Sequence, residues 1–174
     1  MRVLGILRHA LGGLLLLAGL SACIRDDVGG GNVQPGDRLP EFRLSMDDGS
    51  LLRSDDLMGS PSLLIFFNTT CPDCQRTLPV VQQVYEQYGT QLRFVAVSRA
   101  QPASEVRAWW EANGLTLPFS AQEDRKVYDL FASSVIPRIY VSDRDAVVRF
   151  AFDDNPCPGY ADLENAVREV VANL

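Results

Sequence analysis

The sequence predicts an α/β fold with a central mixed β-sheet, flanking helices and an N-terminal β-hairpin. An apolar run over 63–67 is followed by apolar residues at helical spacing and then by a second apolar run over 92–98, which is the pattern of a βαβ unit with parallel strands. Two later segments, 138–141 and 146–152, are close enough in sequence to pair antiparallel. Parallel and antiparallel pairs together predict a mixed sheet.

Residues 1–22 have the features of a bacterial lipoprotein export signal. Two arginines precede an apolar stretch over 11–20, which is too short to span a membrane as a helix. Leu20-Ser21-Ala22-Cys23 has the pattern of a lipobox, which predicts cleavage before Cys23 and attachment of lipid to its sulfur. The alternative is an ordinary signal peptide followed by a chance cysteine.

Residues 23–33 are rich in glycine and lack periodicity, which predicts a flexible tether. We therefore expect a single domain over 34–174, held at a membrane by acyl chains and exposed to the periplasm or the exterior of a bacterial cell envelope. The formal net charge of −6 disfavours a nucleic-acid partner, because an acidic surface repels phosphate groups.

Within this domain the elements follow in a clear order. Residues 42–44 and 51–52 flank an Asp-Asp-Gly-Ser turn and predict the hairpin. The strand at 63–67 comes next, followed by a helix whose apolar residues are spaced by three or four. The apolar residues of this helix are Leu78, Val81, Val84 or Tyr85, and Tyr88.

The second half of the domain continues the alternation. After the strand at 92–98, Ser104 is predicted to cap a helix that ends near Asn113. A short apolar piece at 117–119 precedes a helix over about 123–132, and the antiparallel strands follow. The last helix, over 161–173, places a set of apolar residues on one face, namely Leu163, Val167, Val170 and Leu174.

Cys71-Pro72-Asp73-Cys74 lies where the first core strand gives way to a helix. Free backbone N–H groups and the helix dipole stabilise an anion there, so Cys71 is the predicted nucleophile. Cys74 lies one turn further in and is the predicted resolving thiol. The negative charge of Asp73 disfavours the Cys71 thiolate, which indicates a reductase or isomerase rather than a strong oxidant, unless Asp73 is solvated and only weakly coupled.

A strand is followed by the Cys-x-x-Cys pair, Pro79 comes five residues after the second cysteine, and Val135-Ile136-Pro137 precedes a later strand. These three features together resemble the thioredoxin superfamily. The segment over 36–44, the Asp48-Gly49 turn and Leu57-Met58-Gly59 resemble its TlpA/ResA-like membrane-anchored thiol-disulfide oxidoreductases, and the match covers nearly all of 34–174. This resemblance implies a thioredoxin-like fold in which a cis Ile136–Pro137 bond lies against the dithiol and the Ile136 backbone pairs with an extended substrate. The alternative is a trans proline that starts an edge strand.

The resemblance also implies the partners. Substrates would be thiols and disulfides of exported proteins, with apocytochromes as candidates, and a membrane electron donor would re-reduce the pair. The Cys71–Cys74 redox disulfide would take the place of a cofactor. The chain departs from the family where buried carboxylates are usual, with Ile65 six residues before the first cysteine and Thr77 three residues after the second, and Thr70 replaces a common tryptophan.

A metal site is not predicted, because a structural zinc ion needs four ligands and the single histidine, His9, lies in the signal. Cys157 lies in the loop over 153–159, which we expect at the same sheet edge as the cysteine pair. It is a candidate extra redox thiol, with a disulfide to Cys71 as one form of that hypothesis and an isolated buried thiol as the alternative.

Three other interpretations of the cysteine pair stay open. A peroxiredoxin-like peroxide reductase would want threonine three residues before its cysteine, where this chain has Asn68. A non-catalytic, lipid-anchored binding protein could keep the fold. A purely structural disulfide would constrain the unfolded chain little, because the loop it closes is so short.

Overall fold

The computed structural model describes residues 33–172. The predicted signal, the lipidated Cys23 and all of the tether except Val33 lie outside the described residues, as do Asn173 and Leu174 at the end of the predicted last helix. Within 33–172, none of the helices combines the length and the apolar character that crossing a membrane requires.

A five-stranded mixed sheet forms the centre of the domain, with its longest apolar strand in the middle. The strands are β3 (Ser62–Phe67), β4 (Arg93–Ser98), β5 (Phe119–Ser120), β6 (Arg138–Ser142) and β7 (Val148–Phe152), in the order β5-β4-β3-β6-β7. β3 and β4 pair in parallel, as do β4 and β5, whereas β6 is antiparallel to both β3 and β7. All six residues of β3 are buried, as expected for a strand covered on both faces. The predicted mixed sheet is confirmed.

Four helices cover the sheet: α1 (Pro72–Tyr88), α2 (Ala103–Ala112), α3 (Lys126–Phe131) and α4 (Tyr160–Ala172). Successive side chains of a strand point to opposite faces, and Phe67 contacts Trp110 of α2 whereas Phe66 contacts Phe131 of α3. α2 and α3 therefore lie on opposite faces. α4 packs against α1, and right-handed crossovers place α1 on the face of α2.

The N-terminal hairpin consists of β1 (Arg43–Ser45) and β2 (Leu51–Arg53), joined by a turn in which Gly49 has a φ of +84°. It is tied to the sheet edge because the Ser120 hydroxyl donates to the Ser45 carbonyl at 2.7 Å. Phe42, just before β1, packs on Phe131 with ring centroids 5.7 Å apart. The segment that leads into the hairpin is thus packed on the face of the sheet that α3 covers.

Two helix boundaries differ from the sequence prediction. α2 begins at Ala103 with Pro102 as its N-cap residue, so Ser104 lies inside the first turn and does not cap the helix. α3 begins at Lys126, not near 123, because the Asp124 carboxylate accepts the Lys126 N–H at 2.9 Å and holds the preceding residues in a turn. The apolar piece at 117–119 contributes to β5, a two-residue strand at the sheet edge.

Candidate active site

The cysteine pair lies at the junction between β3 and α1, as predicted. Cys71 is the N-cap residue, with extended backbone angles of φ −82° and ψ 120°, and Pro72 occupies the first helical turn. Proline suits this position because its fixed φ matches the helix and no N–H is needed there. Cys71 is half-buried and Cys74 is fully buried, and both are free thiols. Cys71 is thus the thiol of the pair that solvent and substrates can reach.

The segment before β6 closes one side of the site. The Ile136–Pro137 peptide bond is cis, as the family resemblance implies. The Cys71 thiol donates to the carbonyl oxygen of Ile136, with the sulfur and the oxygen 3.6 Å apart. The backbone of Ile136 is therefore directly beside the predicted nucleophile.

Cys74 lies in a more shielded environment than Cys71. Burial raises the pKa of the Cys74 thiol well above its ordinary value, and the neighbouring Cys71 raises it further. A hydrogen bond from the Asn68 backbone and the positive charge of Arg99 act in the opposite direction but are outweighed. Cys74 is accordingly a protonated thiol at neutral pH.

A buried polar network holds the loop that precedes Cys71. Gln101, only 2% exposed, accepts the Thr69 N–H at 2.9 Å and donates to the Thr69 hydroxyl. Gln75 of α1 donates to the Thr69 carbonyl at 2.7 Å. Asn68 accepts from both the N–H and the hydroxyl of Thr70 and donates to the Arg99 carbonyl at 3.2 Å. Gln101 is not among the site residues predicted from the sequence, because a glutamine beside a proline carries no signal of burial.

Asp73 is not an isolated negative charge. Its carboxylate pairs with Arg76, one turn along the exposed side of α1. The spacing of the two residues is visible in the sequence and is favourable for a helical ion pair. Because Arg76 is exposed and Asp73 is only half-buried, the pair contributes little to stability, but it places a compensating positive charge beside Asp73.

Cys157 lies against the same helix. Burial raises the pKa of its thiol, the hydroxyl of Thr77 on α1 lowers this pKa, and the negative charge of Asp73 on the same helix raises it. The Cys157 sulfur is also 4.0 Å from the Asp154 carbonyl. The loop over 153–159 therefore borders the first turns of α1, as the strand geometry predicts, and Cys157 itself is half-buried.

Arg138 fixes this loop to the sheet from the other side. It follows Pro137, pairs with Phe66 across the sheet, and its guanidinium is 3.7 Å from the Asp153 carboxylate. Its Nε atom is buried without a hydrogen-bond partner. The ion pair links the residue after the cis proline to the loop that carries Cys157.

The AhpC/TSA family model matches residues 35–151. This chain belongs to the AhpC/TSA family. It is 29% identical over 118 residues to the thiol-disulfide oxidoreductase ResA of Geobacillus thermodenitrificans, covering 67% of this chain and 68% of that protein. It is 25% identical over 138 residues to ResA of Bacillus subtilis, covering 78% and 77%. The protein is a TlpA/ResA-like thiol-disulfide oxidoreductase of the thioredoxin superfamily.

Solved structures show the same fold. A thiol:disulfide interchange protein of Chlorobium tepidum superposes with a TM-score of 0.68 at 21% identity, covering 81% of this chain and 99% of that one. The thioredoxin domain of a thiol-disulfide oxidoreductase of Bacteroides vulgatus superposes with a TM-score of 0.70 at 17% identity, covering 80% and 99%. The predicted thioredoxin-like fold is confirmed.

This AhpC/TSA member lacks an acidic group at either position where the family resemblance would put one. Ile65 and Thr77 are both buried, with exposed fractions of 0% and 1%, and the Thr77 hydroxyl donates to the Asp73 carbonyl at 2.8 Å. Among residues 33–172, no three His, Cys, Asp or Glu side chains cluster closely enough to hold a metal ion.

Proposed function

We propose that this oxidoreductase reduces or isomerises disulfides in exported proteins, with Cys71 as the attacking thiol and Cys74 as the resolving thiol. One observation carries the assignment: the half-buried Cys71 begins a helix beside the Ile136 carbonyl, whereas Cys74 is fully buried behind it. A thiol that substrates reach first must be the one that forms the mixed disulfide, and the shielded thiol completes the exchange.

The proposed reaction has two steps. The Cys71 thiolate attacks one sulfur of the substrate disulfide, whose S–S bond breaks, and the other sulfur leaves as a thiolate that takes up a proton. Cys74 then loses its proton and attacks the Cys71 sulfur, which forms the Cys71–Cys74 disulfide and releases the second substrate thiol. Two electrons pass from the pair to the substrate, and an external dithiol donor returns the pair to its reduced form.

The proposed direction is reduction, and at neutral pH the buried, protonated Cys74 thiol gives no support to the opposite direction. A strongly oxidising pair needs a stabilised reduced form, usually through a stabilised thiolate. Burial gives Cys74 no such stabilisation. Asp73 adds negative charge near Cys71 but is paired with Arg76, so we assign it, together with Pro72 at the helix start, a modest tuning role.

Ile136 and Pro137 form the proposed substrate-binding edge. The backbone of Ile136 lies within contact of the Cys71 sulfur, so an extended segment that pairs with it would bring its own disulfide to that sulfur. Main-chain pairing depends little on side chains, which suits an enzyme that acts on several exported proteins. Apocytochromes stay candidates for such substrates.

We further propose that the domain is held at a membrane of the bacterial envelope through lipid on Cys23. The lipobox pattern of the sequence supports this anchor, and the glycine-rich segment after it supports a mobile tether. The pair itself, Cys71–Cys74, would serve as the redox group without a further cofactor. An electron donor in the same membrane would complete the cycle.

Trapping tests the assignment of the two thiols. Cys74→Ala in the full-length protein should accumulate mixed disulfides to exported proteins through Cys71, because the resolving step is lost. Cys71→Ala is the matched control and should trap none. Equal trapping by both variants, or none by Cys74→Ala, would contradict the assignment.

Peroxide reduction is the competing reaction from the sequence. Asn68 occupies the position where threonine would be needed, and both ends of its side chain are used to shape the loop before Cys71. We therefore expect a variant that retains Cys71 alone to consume hydrogen peroxide no faster than a free cysteine. Rapid peroxide consumption would favour the peroxidase interpretation.

A further inference from the structure

Val135 adopts a backbone conformation that its side chain disfavours. Its φ is +58°, in the left-handed region, where a β-branched residue is a genuine outlier. The side chain is nevertheless 37% exposed, so no burial of apolar surface explains the conformation. Such residues persist where the surrounding structure holds them, and they cluster at sites of function.

The hydroxyl of Tyr128 holds Val135 in this conformation. It donates to the Val135 carbonyl at 2.6 Å, and the Tyr128 side chain is only 1% exposed. The guanidinium groups of Arg99 and Arg125 each lie over the tyrosine ring, 5.1 Å from its centroid. The ring therefore has little freedom to move, and its hydroxyl is a fixed anchor.

A second bond fixes the chain two residues earlier. Arg125 donates from Nη2 to the Ser133 carbonyl at 2.9 Å while its guanidinium also pairs with Asp129 at 3.0 Å. The segment over 133–135 is thus attached at both ends to the start of α3. The backbone that precedes the cis Ile136–Pro137 bond is therefore held in one conformation.

Val135 is the chain neighbour of a residue that contacts the nucleophile. Val135 directly precedes Ile136, whose carbonyl accepts the Cys71 thiol. An extended polypeptide that pairs with Ile136 would run past the exposed Val135 side chain. The exposed apolar surface of Val135 favours contact with an apolar side chain over a polar one.

We propose that Val135 determines substrate specificity by contacting an apolar side chain next to the substrate cysteine, and that Tyr128 is the positioning residue that presents it. The preferred partner is an extended or unfolded segment with an apolar residue beside its disulfide. This inference rests on the proposed function, since it concerns the polypeptide substrates of the same dithiol.

Two peptide disulfides that differ in one residue, leucine or serine beside the cysteine, test the role of Val135. The reduced full-length protein should react about fivefold faster with the leucine peptide, as expected for burial of an apolar contact. Val135→Asn should lose most of this preference, because asparagine tolerates the left-handed conformation but offers a polar surface. Val135→Gly, which also tolerates it, should lose the preference equally.

Tyr128→Phe tests the role of the anchor. The ring keeps its contacts with the two arginines, and only the hydroxyl that holds Val135 is removed. We expect the rate constants for both peptides to fall by about three- to tenfold, the range for loss of one hydrogen bond. The rate with 5,5′-dithiobis(2-nitrobenzoate), a small disulfide that needs no backbone pairing, should stay within about twofold of the original.

Met58→Ala is the matched control. Met58 is an exposed apolar residue, and it lies beside Gly59, which bonds to Arg144 in the β6–β7 turn at the opposite end of the sheet from Cys71. This variant should keep the leucine preference.

The inference is overturned if the unmodified protein does not discriminate between the peptides. It is also overturned if Val135→Asn discriminates as well as Met58→Ala, or if Tyr128→Phe slows the small disulfide as much as the peptides. A protein that reacts with neither the peptides nor the small disulfide overturns the proposed function itself, and the inference with it.

Discussion

At the scale of single residues, the buried thiol of Cys74 sets the pH dependence of exchange. Its pKa is raised by burial, so only a small fraction is thiolate at neutral pH. The rate of the resolving step should therefore rise by about tenfold per pH unit between roughly pH 6 and 8. Rapid quenching of a preformed mixed disulfide on Cys71 measures this step. A flat profile would show that another group takes the proton before attack.

The ion pair of Asp73 and Arg76 has its own residue-scale consequence. Arg76→Gln leaves Asp73 uncompensated beside Cys71, so we expect alkylation of Cys71 by iodoacetamide at neutral pH to slow by about two- to threefold. The double variant with Asp73→Asn should recover the original rate, because both charges are then absent. An alkylation rate that is the same in Arg76→Gln as in the original protein would mean that solvent already screens the charge of Asp73.

At the scale of elements, the loop between β3 and α1 is held by a residue from the loop after β4. Gln101→Ala would leave the buried Thr69 N–H without its acceptor, so the free energy of unfolding should fall by about 1–3 kcal/mol. Equilibrium denaturation in urea measures this change. The control is Gln91→Ala, at an exposed glutamine beyond the end of α1, which should change stability by less than about 0.5 kcal/mol.

The elements around the cysteine pair show which parts of the fold could be predicted from the sequence. β3 and α1 were predictable because an apolar run and a helical period are local patterns, and Cys71 and Cys74 lie at the junction of the two. The position of Gln101 was not predictable, because its partner Thr69 lies 32 residues away and only the folded sheet brings the two together. The bond from Tyr128 to Val135 spans only seven residues, but it depends on the positive φ of Val135, which no local pattern indicates. The local periodicity of a sequence does not indicate such contacts.

At the scale of the whole molecule, Cys74 also links stability to pH. Its pKa is higher in the folded protein than in the unfolded chain, so its contribution to stability is fully present below about pH 9, the ordinary thiol value, and is lost as the pH rises towards the folded pKa. The free energy of unfolding of the reduced protein should fall by up to about 1.4 kcal/mol per pH unit above that point.

The variant Cys74→Ala distinguishes the loss of stability caused by ionisation of Cys74 from the loss caused by ionisation of the tyrosines. Burial raises the pKa of Tyr140 to about 12, so tyrosine also destabilises the fold at high pH, but equally in both proteins. The stability of the reduced protein should therefore decline more steeply than that of Cys74→Ala between about pH 9 and 10.5. Parallel curves would mean that the folded environment does not oppose ionisation of Cys74.

Mass spectrometry of acid-quenched samples during one turnover of the reduced protein with a peptide disulfide tests the proposed order of attack by the two thiols. We expect a transient peptide adduct on Cys71, then an internal Cys71–Cys74 disulfide with Cys157 still alkylatable and both peptide thiols released. A first adduct on Cys74 or Cys157, or a Cys71 adduct that persists while Cys74 stays free, would contradict it.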